Sequence, residues 1–255
     1  MKNTNWSYDT AKDSGLSLVD RLKQSPHEPD PLVYAARFAA AVAIRAALRG
    51  YNRLDIAGRE RLPREGSFVL VANHASHLDA VALLSALPLS SLHHAYPLAA
   101  RDYFEANKLR FALTAIIANV MLLDRNSKGA ESLKLCRQLL DEPGNVLVMF
   151  PEGTRSLDGS IGIFRRGIGL LLAGTRYPVV PCYLEGTGRA WPKGTFLPRP
   201  TRIRLAIGQP RTYERVEHTD SGALHICAEL QGAVLALASE TRPQTARPIS
   251  QEAYQ

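Results

Sequence analysis

The chain has 255 residues, of which 45% are hydrophobic and 22% are charged, and its formal net charge is +7. This composition is typical of a globular protein, and the length suits one large domain with a substantial core. The excess of positive charge favours acidic partners, namely anionic lipid surfaces, phosphorylated substrates, an acidic carrier protein or nucleic acid. The three cysteines are far apart and have neither a disulfide nor a metal-ligand pattern, so we predict buried thiols at Cys136, Cys182 and Cys227.

The first 50 residues predict a polar arm followed by a helix. Residues 1–30 contain no apolar signal stretch, and we expect a mobile arm there. A helix is predicted at 31–49, with proline in its first turn and Gly50 after its end. Its three arginines, Arg37, Arg45 and Arg49, fit an interfacial helix on anionic lipid and equally a packed helix with snorkelling side chains. No run reaches the length of an uncharged membrane span, so we expect any membrane contact to be peripheral.

Strands and helices alternate through the rest of the chain. This order predicts an α/β fold: a single domain at 31–240, with a mixed, mostly parallel sheet flanked by helices and preceded by an N-terminal amphipathic helix that faces the membrane. Residues 241–255 are expected to form a disordered tail. Strands are predicted at 68–72, 120–123, 146–150, 179–184 and 203–207, and helices at 78–87, 103–113, 130–140, 165–176 and 223–240.

The segment NHASHLD at 73–79 lies between a predicted strand and a predicted helix. His74 and Asp79 are five residues apart, which separates them in a continuous helix or strand, so they can meet only at a turn in the chain. At such a corner a carboxylate can orient an imidazole, and His74 becomes a candidate general base. A capping aspartate and a surface histidine would give the same spacing.

The segment FPEGTRS at 150–156 directly follows the clearest predicted strand. Open α/β sheets bind ligands at the C-terminal ends of their strands. Gly153 allows the backbone to approach an anion, Arg155 offers a fork suited to phosphate, and Glu152 is expected to aim that guanidinium. A turn with a surface salt bridge is the simpler alternative.

Together, these segments resemble the glycerolipid acyltransferase family, which includes lysophosphatidic acid and glycerol-3-phosphate acyltransferases. Four blocks occur in the family's order: 73–79, VMLLDR at 120–125, 150–156, and YPVVP at 177–181. The resemblance covers roughly residues 54–207.

The resemblance implies a reaction and a set of site residues. His74, oriented by Asp79, would deprotonate an acceptor hydroxyl that attacks an acyl thioester. The acceptor's phosphate would be bound by five residues, namely Arg125, Glu152, Gly153, Thr154 and Arg155. The donor would be acyl-CoA or acyl carrier protein, and the acceptor a lysophospholipid, with 1-acylglycerol 3-phosphate giving phosphatidic acid. No metal and no resident cofactor are expected.

Several alternatives remain open from the sequence. Arg165 and Arg166 either bind the donor's phosphates or form a solvated helix start. The alternative acceptor is a lyso-ornithine lipid, a glycolipid or a specialised-metabolite hydroxyl. A non-catalytic module that binds anionic lipid or nucleic acid is a third reading, but no groove-reading or stacking motif favours it, and we expect no nucleic-acid partner. Membrane lipids are the expected partners, and the expected location is cytoplasmic, peripheral on the inner face of the membrane.

Overall fold

The computed structural model describes residues 31–100, 120–123, 129–192, 194–195 and 197–241, and these ranges contain one seven-stranded sheet. The sheet order is β1-β7-β6-β2-β5-β3-β4. The strands are β1 (Asp55–Ala57), β2 (Phe68–Ala72), β3 (Ala95–Ala100), β4 (Met121–Leu123), β5 (Val146–Met149), β6 (Val179–Glu185) and β7 (Arg204–Ile207). The helices are α1 (Pro31–Gly50), α2 (Leu78–Ala86), α3 (Gly129–Asp141), α4 (Gly167–Leu172), α5 (Thr187–Ala190) and α6 (Asp220–Thr241), with two short 3-10 helices at Arg59–Arg61 and Leu89–His94.

Five of the six strand pairings are parallel, and only β7 runs antiparallel to its neighbour β6. The predicted mixed, mostly parallel sheet is therefore confirmed. β2 is the central strand, between β6 and β5. All five of its residues are buried, as a continuous apolar run requires when helices cover both faces of a sheet.

Two hydrophobic layers enclose the sheet, and β2 contributes to both because successive side chains of a strand point to opposite faces. Val69 and Val71 face the layer formed by α3, α4 and α6. Phe68, Leu70 and Ala72 face the layer that contains α2. The three cysteines are free and buried, as the sequence predicts, and burial raises the pKa of the Cys136 thiol to about 11.

Helix α1 turns arginines toward the protein and apolar residues toward solvent. Arg37 is buried, and Nη2 of Arg45 donates to the carbonyl oxygens of Leu84 (3.1 Å) and Leu87 (2.6 Å) at the end of α2. A cation at a helix C-terminus satisfies carbonyls that lack helical partners. These two arginines thus anchor α1 to the domain. Arg49 is exposed only at the end of the helix. Between positions 35 and 47 the exposed residues recur at helical spacing and are apolar: Ala35, Phe38, Ala39, Val42, Ala43, Ala46 and Ala47.

The structure corrects one predicted helix and adds two strands. The helix predicted at 165–176 spans only Gly167–Leu172, because Ala173 leaves the helical region (ψ 129°) and Gly174 adopts a left-handed φ of 69°. β1 and β3 were not predicted, since β1 has three residues and β3 contains a proline that weakens the strand signal. The helix predicted at 103–113 and the segments 1–30 and 242–255 lie outside the described residues.

Within the described ranges, α6 alone is long and apolar enough to cross a membrane by length and composition. Its inner face, however, is buried against the sheet and α4, through Ala223, Ile226, Leu230 and Val234. A core helix of a globular domain meets the same length and composition criteria. We therefore assign α6 to the core layer that covers β6 and β7.

Candidate active site

The candidate site lies where three adjacent parallel strands end. His74 follows β2 by two residues, the 150–156 loop follows β5 directly, and α5 follows β6. Asn73 ties two of these ends together, because its side chain donates to the carbonyl of Leu184 (3.0 Å) and accepts from the N–H of Leu184 (2.8 Å). Residues far apart in the sequence therefore meet at the C-terminal edge of the sheet.

The chain turns between His74 and Asp79, and the turn brings the two side chains together. Nδ1 of His74 lies 2.8 Å from Oδ2 of Asp79. The same carboxylate oxygen accepts from the N–H groups of Ala75 (2.6 Å) and Ser76 (2.7 Å). Because an ionised carboxylate can only accept, the geometry assigns the proton to Nδ1 and leaves Nε2 of His74 as the basic nitrogen.

The two members of the pair differ in their access to solvent. The Asp79 side chain is 0% exposed, whereas the His74 side chain is 20% exposed. A substrate can therefore reach the imidazole but not the carboxylate. The buried carboxylate fixes the ring orientation and, in a site of low dielectric, stabilises the imidazolium that forms when Nε2 takes a proton.

Three residues of the 150–160 segment hold His74 from the other side. The ring of Phe150 stacks on the imidazole, with centroids 4.2 Å apart and planes 17° from parallel. Oε1 of Glu152 accepts from the backbone N–H of His74 at 2.7 Å. The N–H of Ser156 donates to the carbonyl of His74 at 2.7 Å. The backbone and the ring of His74 are therefore both fixed by the loop after β5.

Glu152 is buried and acts on the backbone. Its second oxygen, Oε2, accepts from the N–H of Gly162 at 2.9 Å. Burial raises the pKa of the Glu152 carboxyl, and the hydrogen bonds from Gly162 and His74 partly offset that shift. The sequence predicts that Glu152 aims Arg155, but the structure places both of its oxygens on backbone donors instead.

Replacing Glu152 with glutamine should destabilise the protein by about 1–3 kcal/mol, because the amide offers one acceptor where two buried N–H groups need one each. Turnover should fall as well, since His74 loses part of its support. The measurement is urea unfolding alongside an activity assay. The exposed Glu142→Gln change is the matched control, and an unfolding free energy for Glu152→Gln equal to that of the control would contradict this role.

The 150–156 loop has its tightest approach at Gly153. Its φ of 69° lies in the left-handed region, and a Cβ there would come within 2.8 Å of Nε of Arg165. That Nε donates to the carbonyl of Glu152 at 3.0 Å. The group that approaches the glycine is therefore the Arg165 side chain, which supports the loop from behind.

Arg155 is half-buried and contacts a histidine. Its Nη1 donates to Nε2 of His77 at 2.8 Å. His77 in turn meets the ring of Trp191 edge-on, with centroids 6.0 Å apart and planes 68° apart. Arg155 and His74 thus belong to the same strand-end cluster, as predicted from the two segments.

The remaining predicted site residues are placed as follows. Thr154 is exposed on the loop. Nη1 of Arg166 pairs with Oδ1 of Asp220 at 3.1 Å, on the surface at the start of α4. Arg125 lies outside the described residues.

Sequence reasoning missed the ring contacts of Phe150 and Trp191 and the bond between His77 and Arg155. His77 is three residues after His74 and fits the entry of the next helix, and no local pattern indicates its partner 78 residues away. Trp191 follows β6 by six residues. If the adjacent, parallel arrangement of β6, β2 and β5 had been known, Trp191 would have been predicted at the same edge of the sheet as His74. That order was the missing information.

Comparisons with known proteins agree with this arrangement. A family model described as Acyltransferase matches residues 53–185, which include all four sequence blocks. A 1-acyl-sn-glycerol-3-phosphate acyltransferase of Limnanthes alba is 33% identical over 165 residues, which are 62% of this chain and 54% of that protein. One from Chlamydomonas reinhardtii is 31% identical over 206 residues, covering 76% of this chain and 58% of that protein. The chain thus spans little more than half the length of these relatives.

The fold also matches a solved structure. The crystal structure of the 1-acyl-sn-glycerophosphate acyltransferase PlsC from Thermotoga maritima superposes with a TM-score of 0.62 at 18% identity, covering 88% of this chain and 87% of that one. The resemblance inferred from the four blocks is confirmed by the family model, and the chain belongs to the acyltransferase family.

Proposed function

We propose that this protein transfers a fatty acyl group from acyl-CoA or acyl carrier protein to the hydroxyl of a lysophospholipid, with 1-acylglycerol 3-phosphate giving phosphatidic acid. The observation that carries the proposal is the His74–Asp79 pair, in which only the imidazole is accessible to a substrate. The names of the relatives supply the acceptor class.

The geometry supports a direct transfer without a covalent acyl-enzyme. Nε2 of His74 takes the proton of the acceptor hydroxyl while its oxygen attacks the thioester carbonyl carbon. The tetrahedral intermediate collapses, the carbon–sulfur bond breaks, and the departing thiolate takes the proton back from His74. Atoms and charges balance, and His74 returns to its starting state with Nδ1 still bonded to Asp79.

The test is release of free thiol from a long-chain acyl thioester by the purified protein. Thiol should appear only when a lysophospholipid is added, together with the acylated product. A screen of lyso-ornithine lipid, lysoglycolipid and lysophosphatidic acid acceptors identifies the acceptor. Thiol release that is independent of every acceptor would reject the transfer reaction and indicate a hydrolase.

Replacing Arg155 with alanine should raise the KM for a phosphate-bearing acceptor about 10- to 100-fold, because a bidentate charged contact to phosphate is lost. The KM of Arg155→Lys should lie between those of the wild type and Arg155→Ala, since an ammonium keeps the charge but not the planar fork. Initial rates across acceptor concentrations measure both. Arg176→Ala, which removes an exposed arginine paired with Glu214, is the control. An unchanged KM for Arg155→Ala would remove its phosphate role.

The donor's phosphates have a candidate contact beside this loop. Arg166 is exposed at the start of α4, and its guanidinium is held by Asp220. Arg165 supports Gly153 and has its charged end near the same surface. We assign both to the donor side of the site, where Arg166 would exchange Asp220 for a phosphate of CoA or a carrier protein's acidic surface.

The outward face of α1 supports a peripheral position on a membrane, which we propose to be on the cytoplasmic side. Phe38 is 50% exposed and Val42 is 45% exposed, while Arg37 and Arg45 point inward. An apolar helix face turned to solvent costs free energy unless lipid covers it. Contact with the bilayer would also bring the site close to an acceptor that resides there.

A further inference from the structure

We propose that His77, backed by Trp191, is the positioning residue that aims Arg155 at the acceptor's phosphate. This inference rests on the proposed function, because it assigns a partner to the residue expected to bind the acceptor. Neither His77 nor Trp191 has a role in the reaction described above.

The place of His77 in the fold makes the contact with Arg155 direct. His77 precedes the first residue of α2 and already has helical backbone angles (φ −61°, ψ −25°). It is separated from His74 by the bend at Ala75 and Ser76. Nη1 of Arg155 then reaches its Nε2 at 2.8 Å. This bond requires a neutral imidazole with its proton on Nδ1, since an imidazolium has no acceptor.

Trp191 limits the movement of the His77 ring and is itself fixed at two points. Its Nε1 donates to the carbonyl of Thr195 at 3.0 Å. Its own carbonyl accepts from Oγ of Ser76, next to His77, at 2.9 Å. The segment after β6 therefore supports the corner after β2, and the corner supports Arg155 in the loop after β5.

The chemistry of the partner matters as much as its position. A carboxylate beside Arg155 would hold the guanidinium but cancel its charge and compete with an incoming phosphate. A neutral imidazole orients the guanidinium without itself adding a negative charge beside it. The buried carboxylate of the loop, Glu152, is bonded to the N–H groups of His74 and Gly162. His77 thus contributes direction to the Arg155 side chain and no opposing charge.

Three substitutions of His77 separate the effect of its hydrogen-bond acceptor from the effect of its charge. Each variant is assayed with two acceptors, 1-oleoylglycerol 3-phosphate and 1-oleoylglycerol. His77→Phe removes the acceptor nitrogen, and the KM for the phosphate-bearing acceptor should rise about tenfold, with kcat within about threefold of wild type. His77→Gln supplies a neutral acceptor and should restore a KM near that of wild type. His77→Glu supplies a charged acceptor and should raise the KM at least as much as His77→Phe. The KM for 1-oleoylglycerol should not change in any of them.

His94→Phe is the matched control, because His94 is exposed before β3 at the opposite edge of the sheet. The proposal is overturned if His77→Phe alters the KM equally for both acceptors, or if His77→Gln and His77→Glu behave alike. If the wild-type protein transfers no acyl group, the proposed function fails on its own. Binding of 1-oleoylglycerol 3-phosphate in detergent micelles, followed by calorimetry, then decides: a tenfold weaker Kd for His77→Phe supports the positioning role, and an equal Kd rejects it.

Discussion

Replacing His74 with alanine should lower kcat by about 10²- to 10⁴-fold, the range expected when a positioned general base is removed. The acceptor hydroxyl would then have to lose its proton to water, and nothing on the enzyme would return a proton to the departing thiolate. Binding of the acceptor should change little, because the phosphate is held by Arg155 on the neighbouring loop. The measurement is thiol release at saturating acceptor, with KM determined in the same assay.

The control for this substitution is His225→Ala, which removes an exposed histidine of α6 that forms a long surface pair with Glu229 at 3.8 Å. It should retain wild-type turnover. Circular dichroism should show both variants folded, since the His74 side chain is partly exposed and its removal leaves Asp79 with the two backbone donors of Ala75 and Ser76. His74→Ala turnover within about threefold of wild type would contradict the base assignment.

The His74–Asp79 pair shows how much of the site local sequence can predict. The five-residue spacing excludes contact in a regular helix or strand, and the apolar run before it and the helical pattern after it place a corner between the two residues. The structure has that corner, closed by the N–H groups of Ala75 and Ser76 on the Asp79 carboxylate. The three hydrogen bonds to the Asp79 carboxylate join residues within five positions of each other, which is why one segment was enough to predict the pair.

The partners of Glu152 and Arg155 could not be predicted in the same way. Their contacts reach back 78 residues, to His74 and His77. Charge alone suggested that Glu152 and Arg155 pair with each other, three positions apart. The sheet order, which puts β5 beside β2, instead supplies the N–H of His74 to the carboxylate and the imidazole of His77 to the guanidinium. Contacts of this kind depend on strand order, and strand order is a property of the whole chain.

The orientation of α1 also depends on contacts between distant parts of the chain. From the sequence, its arginines fit a charged face on anionic lipid and equally a packed helix with snorkelling side chains. The carbonyl oxygens at the end of α2 provide an alternative partner that no local pattern reveals, and Arg45 donates to two of them. The apolar face is therefore the outer one, and any contact with lipid would be made through Phe38 and Val42.

Gly169→Ala should destabilise the protein by about 3 kcal/mol, at the upper end of the usual cost of overpacking a core. A Cβ at this position of α4 would lie 2.0 Å from the carbonyl oxygen of Ala223 and 2.7 Å from its Cα. Both are backbone atoms of α6, so no side-chain rotation can relieve the clash and the two helices must separate. That movement would open the layer in which Ile168, Leu171 and Ile226 are fully buried.

Gly167→Ala is the matched control, two residues earlier in the same helix. A Cβ there meets no atom within 4 Å, and the backbone is helical. Alanine should therefore stabilise the protein slightly, by about 0.5 kcal/mol, since it loses less backbone entropy on folding than glycine. Urea unfolding of the two variants should move the midpoint in opposite directions. Equal midpoints would contradict the close contact between α4 and α6 at Gly169.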